Sequence, residues 1–169
     1  YSGDVHGAIQ FGFQLGAIDQ SGFLLTYVFG RAVSSGNTEF ARGYLSASAY
    51  RNTLKGPRLV ELLDGTQDEH PETAFALSHA AAEVTDAFGR TLRLVAAGKL
   101  PPAKLQNFTV WIGARKTMHT DVERALDTLM PMVASGAQGT ADLAVDFVAY
   151  QYYRTADPHW RAPEKQPFD

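Results

Sequence analysis

Hydrophobic and polar residues alternate strictly from residue 9 to 17. Ile9, Phe11, Phe13, Leu15 and Ala17 fall on one side, with Gln10, Gly12, Gln14 and Gly16 on the other. A period of two predicts a β-strand. "DQSG" (19–22) then reads as a turn, because Asp, Ser and Gly supply local hydrogen bonds and tolerate positive φ. "FLLTYVFGRAV" (23–33) is apolar on both sides, as a central strand would be. "SSGN" (34–37) turns again, and "TEFARGYLSASAY" (38–50) alternates once more. Three β-rich runs joined by two short turns predict an antiparallel meander.

The turns suggest a register. Pairing Ile18 with Phe23 and Val33 with Thr38 puts Ile9, Phe11, Phe13, Leu15, Leu24, Val28, Ala41, Leu45 and Ala47 on one sheet face. The opposite face carries Tyr27, Phe29, Arg31, Phe40, Arg42 and Tyr44.

Helical spacing dominates after residue 56. A short helix is predicted over 57–63, followed by the polar loop "DGTQDEHP". A long helix then places Leu77, Ala81, Val84, Phe88, Leu92 and Val95 three or four residues apart, and Gly98 stops it. A second long helix is expected over 103–130, ending at Pro131, the two folding back as a hairpin. Thr140 or Asp142 is expected to cap a C-terminal helix, "ADLAVDFVAYQYYR". Together these give an α+β fold, a three-stranded meander with helices packed on one sheet face. Residues 1–154 form a single domain in this reading, and the Pro-rich 155–169 an extended tail.

Composition narrows the function classes. The 169 residues fit one domain, with 45% hydrophobic and 20% charged side chains, as in an ordinary soluble protein. A net charge of −3 argues against non-specific nucleic-acid binding. The absence of cysteine removes disulfides, thiolate metal sites and cysteine nucleophiles. No uninterrupted apolar run reaches transmembrane length and no signal peptide is visible, so a soluble, cytoplasmic protein is favoured. The first residue is Tyr rather than Met, the start expected of a processed or trimmed chain.

Candidate chemistry is sparse. "GDVHG" (3–7) resembles the first metal-binding motif of metallophosphatases, but the later Asp, Asn and His ligands are missing. The pairs His79/Glu83 and His119/Glu123 have metal-ligand spacing, yet His79 falls about 140° from Val84 on the helical wheel, outside the apolar stripe. Glu83 and Arg90 line that same outer face and read as solvated. No metal or cofactor is expected. Ser46-Ala-Ser48 with Gln67-Asp68-Glu69 resembles, in miniature, the catalytic motifs of ADP-ribosyltransferases, with about half the spacing that fold requires. "GYLSASAYRNTLKG" (43–56) is similar over about a dozen residues to a strand-to-helix loop of RNA-guided CRISPR backbone subunits, without its Pro-Gly-Ser core.

Two features remain. Arg115 falls about 20° and His119 about 60° from Val122, so a cation points into an apolar seam. There it would snorkel to solvent, pair with an acid (Glu61, Asp64 or Asp146) or hold an anionic ligand. The aromatic sheet face is the second. Tyr27, Phe29, Arg31, Phe40, Arg42 and Tyr44 predict a contact surface for a second copy or a protein partner. The reading is therefore a non-catalytic interaction or assembly subunit. Its alternatives are an anion-binding protein or enzyme around Arg115 and His119, and an RNA-binding subunit that stacks bases on the sheet.

Overall fold

The computed structural model describes residues 5–49, 56–81, 84–109 and 119–156, and these contain helices and no strand. The predicted β-meander and the α+β class are overturned. Each of its three runs is a helix: α1 (Val5–Ile18), α2 (Leu25–Ser35) and α3 (Glu39–Ala49). They are followed by α4 (Gly56–Thr66), α5 (Pro71–Ala81), α6 (Val84–Ala96), α7 (His119–Ala134) and α8 (Thr140–Ala156). A 3-10 turn, Pro102–Leu105, lies between α6 and α7.

The reason lies in the small residues of the alternating run. Gly12 and Gly16 are four apart, so on a helix they share one face. Both are buried, and α3 comes close enough that no side chain would fit between the backbones. A Cβ on Gly12 would meet the Phe40 carbonyl oxygen, and one on Gly16 the Tyr44 carbonyl oxygen. Gly43 of α3 returns the arrangement against the carbonyl of Ile9. Three glycines thus let the two helices approach closely, backbone to backbone. The pattern that imitates a strand is a helix with a glycine groove.

The chain divides into two compact units, Tyr1–Arg90 and Thr91–Asp169, with α6 running across the division. In the first, α3 is the hub. It packs on α1, α2 and α5, while α4 packs on α2 and α5. Leu25, Val28, Phe29 and Ala32 of α2 meet Ala41, Tyr44 and Leu45 of α3, Leu59 and Leu63 of α4, and Ala74 and Leu77 of α5 in one core. The α2 set recurs at i, i+3, i+4 and i+7, the apolar stripe of a surface helix. Gly36 ends α2 with φ of 69° and its N–H on the Ala32 carbonyl, a left-handed closure that a side chain would strain.

In the second unit, α7 packs on α8, and α8 on the 3-10 turn. Val122, Ala125 and Leu129 form the buried stripe of α7, with Leu143, Ala144 and Phe147 that of α8. Gly98 (φ 68°) stops α6 as the sequence predicts, with the Lys99 N–H on the Leu94 carbonyl in a Schellman closure. Pro131 does not end its helix. α7 continues to Ala134 and closes one turn later, where the Ala137 N–H reaches the Met132 carbonyl beside Gly136 (φ 76°). Thr140 does open α8, but its hydroxyl donates to the Ala137 carbonyl at 2.6 Å instead of capping an N–H.

Candidate contact surface

The six residues assigned to a sheet face do not share a surface. Phe29 and Tyr44 belong to the core, at 2% and 0% exposure. Phe40 is half-buried, its ring 5.8 Å from that of Phe11 and tilted by 39°. Arg42 holds Glu39 one turn before it at 3.3 Å. Tyr27 and Arg31 reach solvent from α2. A helix distributes positions 27, 29 and 31 around its circumference, whereas a strand would align them. Of the second candidate pair, Arg115 lies outside the described residues, and His119 is the first residue of α7.

Two of the three acids proposed for Arg115 have other partners among the described residues. Asp64 accepts from Arg90 at 2.7 Å, and Glu61 lies 3.8 Å from Arg58. Arg90 corrects a further expectation, because it is buried instead of solvated. Its guanidinium is held by Asp64 and by the Gln67 side-chain oxygen at 2.6 Å, tying α6 to the end of α4. His79 stacks on Phe75 with ring centroids 5.9 Å apart. Partial desolvation, then the nearby Arg42 charge, hold its pKa below the ordinary imidazole value. No group of three or more His, Asp or Glu side chains with metal-binding geometry occurs among the described residues.

The structure instead exposes apolar side chains at the start of the chain. Residues 5–18 contain no Asp, Glu, Lys or Arg. Among the described residues, α1 is covered on its glycine side by α3, and large apolar side chains elsewhere on it reach solvent. Phe11 is 62% exposed, Phe13 47% and Ile18 78%. The connection to α2 adds Phe23 at 86%, and α2 itself Tyr27 at 68%.

Asp19 fixes that connection. Its carboxylate accepts from the Ser21 hydroxyl and the Phe23 N–H, both at 3.0 Å, and from the Leu24 N–H at 2.8 Å. The Tyr44 hydroxyl donates to it at 2.6 Å, joining the turn to the middle of α3. Gly22 supplies the positive φ (72°) that the turn demands. Desolvation acts upward on this carboxyl and is the largest single influence. The hydrogen bonds, that of Tyr44 first, outweigh it together and hold the pKa at about 2. Burial, then the Asp19 carboxylate, push the Tyr44 phenol above its ordinary value. Phe23 therefore projects its ring into solvent from a backbone that is tied down.

On the expected β-meander Phe11 and Phe13 fall on the apolar sheet face and Asp19 in a turn, and none of them stands out as functional. Two signals were present: four-residue spacing of Gly12 and Gly16, and the absence of charge over residues 5–18. No protein family, curated protein or solved structure matches this chain.

Proposed function

We propose that this chain is a non-catalytic helical interaction or assembly module, with the outer side of α1 and the α1–α2 turn as its contact surface. The observation that carries the reading is the exposure of Phe11, Ile18 and Phe23 on rigidly held backbone. Aromatic and aliphatic side chains on ordered supports lose little entropy on docking, which favours affinity. Large exposed apolar patches mark interfaces, and Phe11, Ile18 and Phe23 supply exposed apolar side chains along α1 and the turn after it. Among the described residues no helix is long and apolar enough to cross a membrane.

The test uses an apolar fluorescent dye and a Phe11→Glu/Ile18→Glu/Phe23→Ser variant. The variant is expected to keep the helical circular dichroism and melting temperature of the parent and to lose any self-association or dye binding. Collapse of the helical signal in the variant would assign these side chains to the core and end the proposal.

A further inference from the structure

We draw no further inference here: the strongest candidate, the apolar outer face of α1 on which Phe11 and Ile18 reach solvent, carries nothing beyond the contact surface already described, because nothing in the structure shows what covers it.

Discussion

The Tyr44 hydroxyl, fully buried in α3, donates a 2.6 Å hydrogen bond to the Asp19 carboxylate in the turn after α1. This contact spans 25 residues of sequence and joins the turn that presents Phe23 to the hub helix of its unit. A neutral donor on a carboxylate makes a stronger bond than two neutral groups. Tyr44→Phe retains the ring and removes that bond. It is expected to destabilise the fold by about 1.5–3 kcal/mol, measured by urea unfolding at neutral pH. Equal stability of the two proteins would mean that the bond contributes nothing.

The same pair gives stability a defined pH dependence. Its hydrogen bonds hold the Asp19 carboxyl at about 2 in the folded chain, below the ordinary carboxyl value of 3.8. A depressed carboxyl stabilises the fold fully above the unfolded value and loses that contribution as pH falls from about 4 towards 2. Tyr44 is shifted upward from 10.0, so its contribution is present below pH 10 and lost as pH rises beyond it. Unfolding midpoints should fall at both extremes, and Asp19→Asn should flatten the acid limb between those limits. An unchanged acid limb in Asp19→Asn would show that other carboxylates produce it.

Glycine substitutions are expected to differ in sign according to position. Gly12→Ala, Gly16→Ala and Gly43→Ala each drive a methyl group into a backbone carbonyl of the neighbouring helix. Backbone cannot yield as a side chain does, so each should cost about 1–3 kcal/mol or more. Gly30, also helical, has open space around it, and Gly30→Ala should stabilise by about 0.5–1 kcal/mol. Chemical denaturation of the four variants would decide the matter. Stabilisation by Gly12→Ala would refute the close approach of α1 and α3.

The buried Arg90 should show a second asymmetry. Asp64→Ala leaves a guanidinium of 5% side-chain exposure without its carboxylate and is expected to cost about 3 kcal/mol. Arg90→Met removes the buried charge, leaves a half-exposed Asp64 in water, and should be much milder. Thermal denaturation of both variants measures the difference. The reverse order would mean that Asp64 depends on Arg90 more than Arg90 on Asp64.

The sequence showed its punctuation more reliably than the elements between. "DQSG" is a turn, Gly98 stops a helix and Thr140 starts one, because backbone sign and hydrogen-bond supply are local properties. The elements of the first third were misassigned. In residues 9–17 glycine counts as a polar position only if the run is a strand, while as a helix the glycines are the buried positions. That choice depends on α3, which sequence periodicity does not contain. The double-sided apolar run 23–33 suits a buried strand and a helix equally, and Leu25, Val28, Phe29 and Ala32 settle it by facing one core. Arg90 reads as solvated from the sequence because its carboxylate is 26 residues away. Phe11 and Phe13 fall on the apolar sheet face for the same reason that their run reads as a strand. Arg115 lies outside the described residues, so its partner is not among the findings.

The dependence of the melting temperature on protein concentration tests most directly the proposal that the chain is an assembly module with the outer side of α1 as its contact surface. Association stabilises only the folded chain, so a hundredfold rise in concentration should raise the wild-type midpoint by about 3–8 °C. The Phe11→Glu/Ile18→Glu chain should melt at one temperature throughout, matching the dilute wild type. A wild-type midpoint that does not move, or a variant that moves with it, would contradict the account.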